Sequence, residues 1–316
     1  MDLELIVTRR LEEASGIVAI ELTAADGSAL PAFEPGAHID VQVTAGVIRQ
    51  YSLCNNPAER GAYRLAVLRE PASRGGSVAI HDLFKVGHKV RASRPRNNFA
   101  LKPHAERSIL VGGGIGVTPL LSMAYALHAQ NRAFELHYTT RSRDKAAFVG
   151  ELQRVAFADR VHLYHDDGAD AQRFDIGAAL PPPSPGAHLY ICGPGGFMDA
   201  VLATARATGW TADHTHIERF SAEVSTEGDA FTVVAAKSGV TVRVVAGQTI
   251  VEALAAAGID LPTSCEQGIC GTCLTDVIDG IPDHRDLYLT DDEKAANKQM
   301  MPCCSRSCTP VLTLAL

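Results

Sequence analysis

No stretch of this 316-residue chain approaches the roughly 18 uninterrupted apolar residues of a helical membrane span, so such a span is excluded. The opening residues, MDLELIVTRRLEE, carry acids where a secretion signal needs a basic and then an apolar run. A cytoplasmic location is the default expectation. Basic charge is in deficit, with 29 Lys and Arg against 36 Asp and Glu and a net charge of −7. No nucleic-acid partner is expected, because phosphate neutralisation needs a basic surface. Cysteine is almost missing from most of the chain: Cys54 and Cys192 stand alone, while the rest crowd into the last sixth. That distribution argues against a disulfide framework and for a metal site. No internal repeat is present. What remains is 46% hydrophobic and 21% charged, ordinary for a folded protein, and long enough for two or three domains.

The first hundred residues read as short strands between turns: 16–22, 37–43, 48–53 and 63–68. Even spacing and β-branched content predict an antiparallel barrel or sandwich. Residues 93–103, with two prolines, read as a connector. The texture then changes. A short apolar run at 108–111 is followed by glycines 112–116 and an apolar helix over 120–129, with Thr118 as its cap and Pro119 in its first turn. Further strands are predicted at 134–140, 161–165 and 188–192, and alternating strand and helix predicts a parallel α/β sheet. Residues 221–229 are polar and read as a linker. Strands at 231–235 and 241–245 follow, then a helix over 250–257 with Thr249 and Glu252 in capping-box spacing and Gly258 at its stop.

Cys265, Cys270 and Cys273 have the spacing C-x4-C-x2-C, the plant-type arrangement for a [2Fe–2S] cluster completed by a more distant cysteine. Gly268 and Gly271 inside the loop allow a tight turn and let backbone N–H groups face the cluster. A zinc site would normally pair two C-x2-C knuckles, and one is missing here. Cys303, Cys304 and Cys308 are all candidates for the fourth ligand. Cys303 is separated from Cys273 by 29 intervening residues, a gap like that of plant-type ferredoxins, and is preferred over Cys304.

Arg49-Gln50-Tyr51-Ser52 fits the R-x-Y-S pattern of flavin-binding barrels in the ferredoxin–NADP reductase superfamily. An arginine can pair with a phosphate, a tyrosine can pack on the flavin ring, and a serine hydroxyl can bond near its N5. Arg74-Gly75-Gly76-Ser77 downstream can offer backbone N–H groups and a hydroxyl to a phosphate. A G-x-G-x-x-G fingerprint is lacking, since Val117 occupies the third glycine position. Gly112-Gly113-Gly114-Ile115-Gly116-Val117-Thr118-Pro119 instead matches the GGxG-x-TP loop of the same superfamily, between a strand and a helix whose N-terminus attracts pyrophosphate. Cys192-Gly193-Pro194 resembles its C-G-P turn.

The whole chain therefore resembles the reductase components of class IA Rieske oxygenase systems, the phthalate dioxygenase reductase and vanillate O-demethylase reductase family. The resemblance implies an FMN-binding antiparallel β-barrel domain over 1–102 and an NAD-binding α/β domain over 103–222. A linker over 223–229 and an α+β β-grasp ferredoxin domain over 230–316 would follow. It places Arg49, Tyr51 and Ser52 at the flavin, Gly75, Gly76 and Ser77 around its phosphate, and Phe220 near its ring. Gly113, Gly114, Thr118, Cys192, Gly193 and Pro194 would border the nicotinamide cofactor, with Ser52 and Cys192 at the reacting atoms. Cys303, at the start of Cys303-Cys304-Ser305-Arg306, falls at the family's closing Cys-x-Ser-Arg. The implied route runs from NADH to FMN to [2Fe–2S] to a Rieske-type oxygenase acting on an aromatic acid, the reductase being a monomer. An FAD-containing reductase for another oxygenase, a stand-alone reductase of a small acceptor and a non-catalytic redox sensor are the competing readings.

The acidic residue expected after the second strand to hold the ribose is absent. Arg141-Ser142-Arg143-Asp144 stands there, and NADH is favoured over NADPH because relatives with a similar Thr-Arg run use it. Asp283, Asp286, Asp291, Asp292 and Glu293 form an acidic segment read as a solvated face, with partner docking as the alternative. The histidines, including His162 with His165 and His214 with His216, are read as structural.

Overall fold

The computed structural model forms two compact bodies, Met1–Phe220 and Ser221–Leu316. It describes every residue except 72, 74, 170 and 171, so Arg74 lies outside the described residues.

The first body begins with six antiparallel strands: β1 (Leu3–Ala14), β2 (Ile17–Ala24), β3 (His38–Thr44), β4 (Val47–Ser52), β5 (Tyr63–Leu68) and β6 (Lys89–Ala92). Their order is β4-β3-β6-β1-β2-β5. The two edges meet where Cys54 N–H donates to the Arg64 carbonyl at 2.9 Å, curling the sheet into a barrel. Alternate residues point inward, as the two-residue period of a strand requires. Leu5 and Val7, Ile39 and Val41, and Tyr63, Leu65 and Val67 share one core. Ile80 of helix α1 (Gly76–Leu83) joins that core. β1 escapes the sequence reading because Arg9, Arg10, Glu12 and Glu13 interrupt its alternation.

The rest of this body is a parallel sheet of β7 (Arg107–Gly113), β8 (Ala133–Thr140), β9 (Val161–His165), β10 (Ala187–Cys192) and β11 (Thr215–Glu218), in the order β11-β10-β7-β8-β9. Helices α2 (Val117–Ala129), α3 (Val149–Leu152), α4 (Ile176–Ala179) and α5 (Gly195–Ala207) accompany it. The strand order reverses between β7 and β10, which creates the switch-point crevice where such sheets bind ligands. α2 starts earlier than predicted, at Val117, and Thr118 does not cap it. The cap position is Gly116, with no side-chain hydrogen bond, while the buried Thr118 hydroxyl donates to the Ile115 carbonyl at 3.0 Å.

Barrel and parallel sheet are not separate globules. Ile17, Ala19, Cys54 and Ala66 of the barrel pack in one core with Leu120, Leu121 and Met123 of α2. At the same seam Arg64 grips Glu151 in a two-pronged ion pair at 2.7 and 2.8 Å, and the Tyr125 hydroxyl donates to the same carboxylate. Burial would raise the Glu151 pKa, but this grip holds it below the ordinary value.

The second body is a mixed sheet in the order β13-β12-β18-β14-β16, built from β12 (Phe231–Ala235), β13 (Val240–Val244), β14 (Thr275–Asp279), β16 (Gln299–Met300) and β18 (Val311–Leu314). β12 and β18 pair in parallel at its centre, and α6 (Ile250–Ala256) packs its Ile250, Ala253 and Leu254 onto the sheet core, giving the β-grasp fold. The predicted capping box of Thr249 and Glu252 is present. β15 (Pro282–Asp283) pairs with β17 (Arg306–Ser307), and α7 (Asp291–Ala296) carries a second capping box from Thr290 to Glu293. The polar segment read as a linker is held within this body. Arg285 donates to the Ser225 and Glu227 carbonyls at 2.7 Å, and Arg306 donates to that of Asp229 at 3.0 Å.

The acidic segment is not uniformly solvated. Asp286 is only 2% exposed and accepts from the Tyr288 and Leu289 N–H groups, so it shapes a loop. Asp291, Asp292 and Glu293 occupy the first turn of α7, where negative charge offsets the helix dipole.

Candidate active site

Two glycine loops meet at the switch point. Gly112 and Cys192 are in register on the adjacent strands β7 and β10. A Cβ on Gly116 would run into the Cys192 carbonyl, and one on Gly193 would approach the Gly113 Cα at 3.0 Å, so both loops need glycine to lie this close. The N-terminus of α5 opens beside them, with Pro194 at its cap and free space above Gly195 and Gly196. The crevice thus combines a 13-residue helix N-terminus with bare backbone, which suits a pyrophosphate. Gly113, Gly114, Cys192, Gly193 and Pro194 are brought together here. Thr118 lies just below, its hydroxyl committed to the turn.

The barrel motif arrives at the same place. Ser52, the last residue of β4, donates from Oγ to Glu218 Oε2 at 3.1 Å. Glu218 ends β11 and is in register with Cys192 on β10. Burial pushes the Glu218 carboxyl up to about 8, against the opposing Ser52 hydrogen bond. Burial, followed by the Glu218 charge, raises the Cys192 thiol well above its ordinary value, so it stays neutral. Ser52 and Cys192 therefore flank one carboxyl. Sequence reasoning passed over Glu218; its only signal was a position two residues before Phe220. Phe220 itself is 39% exposed and available to cover a ring.

Arg49 and Tyr51 lie along β4. The Arg49 side chain crosses the start of α1, where a Cβ on Gly76 would fall 2.7 Å from its Cγ. Gly75 caps this eight-residue helix at φ 86°, without a side-chain partner for the first N–H groups. Ser77 Oγ accepts from Glu70 N–H at 3.0 Å. A guanidinium, a helix N-terminus and a hydroxyl thus converge, the donor set a terminal phosphate requires. Burial keeps the Tyr51 phenol protonated against the opposing charge of Arg49.

In the second body the cysteines pair as two irons demand. The Cys265 thiol shares a hydrogen bond with Cys270, and Cys273 with Cys303. Backbone N–H groups converge on these sulfurs: Gln267 and Ile269 on Cys265, Thr272 on Cys270 and Gly268 on Cys303. Such a nest of donors fits an anionic cluster held by four thiolates. Gly268 and Gly271 have φ of 69° and 75°, and a Cβ on either would strike Cys304 Sγ or the Tyr288 ring. The buried Cys304 Sγ turns to the Met301 carbonyl and the Ser305 hydroxyl, at 3.7 and 3.8 Å.

The 2Fe-2S iron-sulfur cluster binding domain matches residues 233–308, and the N-terminal domain of the dimethylamine monooxygenase subunit DmmA-like proteins matches 88–215. Vanillate O-demethylase oxidoreductase of Pseudomonas sp. (strain HR199 / DSM 7063) is 49% identical over 99% of this chain and 100% of its own. Phthalate dioxygenase reductase of Burkholderia cepacia is 40% identical over 99% and 97%. The chain belongs to this family of oxygenase reductases.

A solved phthalate dioxygenase reductase superposes on the present reductase with a TM-score of 0.79, at 40% identity, covering 99% of this chain and 98% of that one. An intact type IV self-sufficient cytochrome P450 monooxygenase superposes with a TM-score of 0.85 at 41% identity; the reductase spans 41% of that longer chain. At the end of β8 in the reductase, Arg141, Arg143 and Asp144 are exposed, with Asp144 Oδ1 accepting from the Ser142 hydroxyl. These groups lie just beyond the carboxyl end of β8.

Proposed function

We propose that this reductase takes electrons from NADH through FMN to a [2Fe–2S] cluster and passes them, as a monomer, to a Rieske-type oxygenase acting on an aromatic acid. Arg49, Gly75, Gly76 and Ser77 hold the FMN phosphate, while Tyr51, Ser52 and Phe220 address its ring. Gly113, Gly114, Cys192, Gly193 and Pro194 line the nicotinamide cofactor, with Thr118 fixing the turn beneath. Cys265, Cys270, Cys273 and Cys303 are the cluster ligands. When bound, the flavin supplies acceptance of a hydride and release of single electrons, and the cluster takes one electron at a time. The chain's own work is positioning. Ser52, hydrogen-bonded to the neutral Glu218, places a hydroxyl oxygen and a carboxyl where charge changes at the flavin edge. The uncharged Cys192 presents an apolar wall that excludes water.

The observation that carries this reading is the junction at Ser52, Glu218 and Cys192, where the barrel motif and the dinucleotide crevice share one hydrogen-bonded point. Full-length relatives named as oxygenase reductases favour an oxygenase partner over a small acceptor. The test is an anaerobic titration of the purified protein with NADH, after quantifying flavin and iron. Equal FMN and cluster content with both chromophores bleached supports the relay. Absence of flavin, or a flavin that reduces while the cluster does not, overturns it.

A further inference from the structure

A second constellation lies on the parallel sheet, away from the crevice. Glu135 and His137 are two residues apart on β8 and so share a face; His162 on β9 is directly in register with His137. The two imidazoles stack at 4.8 Å between centroids. One ligating atom from each of Glu135, His137 and His162 lies within 4.8 Å of the other two.

The details favour a cation. His137 is only 4% exposed, and its Nε2 makes no hydrogen bond of good geometry among the described residues. A buried ring nitrogen so weakly paired gains from a better partner. That nitrogen sits 3.4 Å from Glu135 Oε2. Two ligands at ~2.05 Å from a tetrahedral zinc are about 3.3 Å apart, so the pair already spans one edge of such a site. The outer shell is also in place. His137 Nδ1 meets the Tyr164 hydroxyl at 3.1 Å, an outer-shell contact that orients the ring and, when Nδ1 donates to it, leaves the Nε2 lone pair for a metal. Arg107 holds the other carboxylate oxygen, Glu135 Oε1, at 2.7 Å. A cavity of about 590 Å³ bordered by these three residues, Tyr164, Arg173 and Asp175 gives an ion and its water room to enter.

We propose that Glu135, His137 and His162 form a site for a divalent transition metal of the zinc class, bound by two nitrogens and one oxygen with a fourth position open to water. The donor set suits borderline ions and not magnesium or calcium, which require mostly oxygen. The ligands lie short of the strand ends Thr140 and His165, so the site does not coincide with the dinucleotide crevice. β9 is the edge strand of the sheet. A metal bridging β8 and β9 would clip that edge and stabilise the folded state in proportion to its occupancy.

The test equilibrates the holoprotein with Zn²⁺, removes loose metal by gel filtration and measures zinc, iron and flavin together. The expected result is one zinc per chain beyond the iron, with a zinc absorption-edge spectrum showing only nitrogen and oxygen at about 2.0–2.1 Å. His162→Ala should lose the zinc with iron and flavin unchanged, which excludes misfolding. Tyr164→Phe, which keeps all three ligands, should bind roughly tenfold more weakly. No retained zinc, zinc retained in His162→Ala, or sulfur near 2.3 Å in the zinc spectrum would each overturn the site. The readout is independent of electron transfer, so it stands or falls separately from the relay.

Discussion

Cys303 and Cys304 are neighbours of one chemical type, and only their surroundings tell them apart. Cys303 sulfur faces Cys273 and takes the Gly268 N–H, whereas Cys304 sulfur meets the paired cysteines through Cys303 and otherwise turns to the Met301 carbonyl. Cys303→Ser should therefore lose the cluster's visible absorbance and its iron, while Cys304→Ser keeps both; iron analysis of the two variants decides it. Glu218 makes the second single-residue prediction. Its folded-state value of about 8 lies above the ordinary 4.5, so the folded chain keeps a proton that the unfolded chain has released. Its contribution to stability is intact below about pH 4.5, falls as pH climbs toward 8, and is level above that. Glu218→Gln mimics the protonated carboxyl and should remove this decline. Thermal midpoints of wild type and variant from pH 5 to pH 8.5 measure it, the two curves diverging as pH rises. His38, His137 and His216, pushed down to about 4 mainly by burial, act in the opposite sense below pH 6.5. They are common to both proteins and cancel in the comparison.

At the scale of elements, close approach and open space separate the roles of the glycines at the switch point. Gly116→Ala would push its Cβ into the Cys192 carbonyl and pry the two loops apart. A loss of about 2 kcal/mol is expected from overpacking, together with a KM for NADH raised roughly tenfold or more. Gly196→Ala meets no atom within 4 Å and lies in the first turn of α5. It should leave the melting temperature unchanged or slightly higher while still weakening NADH, because the methyl occupies the approach of the pyrophosphate. Melting curves and NADH titrations of the pair distinguish packing from access. The same elements show what a sequence can reveal. Four of the five parallel strands (β7 to β10, but not β11), α6 with its capping box and the cysteine loop were legible because each is encoded locally, in an apolar run, a Thr-x-x-Glu spacing or a ligand spacing. β1, α1 and α7 were not, since the charges on β1 mask its period and the polar starts of both helices read as loops. Ser52 and Cys192 were legible as motif positions, but the carboxyl joining them arises from pairing between β10 and β11, which no local pattern records. The buried role of Asp286 and the meeting of His137 with His162 are tertiary for the same reason.

For the molecule as a whole, the division of the apolar cores decides what can stand alone. The barrel core, the shared core over α2 and the core between β7, β10 and α5 draw only on residues before Phe220. The cores of the second body begin at Val224 and run to Leu316. By contrast the barrel and the parallel sheet share a core and the Arg64–Glu151 pair, so separating them would expose apolar surface and a half-buried charge. A chain ending after Phe220 should therefore fold, bind flavin and reduce ferricyanide from NADH at a rate within about threefold of the intact protein, since no side chain proposed for hydride transfer lies beyond that point. It should fail to reduce cytochrome c at the intact rate if those electrons leave through the cluster. A shorter chain ending after Pro103 should not fold, because β2 and β5 would lose the partners that bury Ile17, Ala19 and Ala66. Comparing the three proteins by flavin content and by both acceptors separates hydride transfer, carried by two inseparable sheets, from electron exit, carried by the second body.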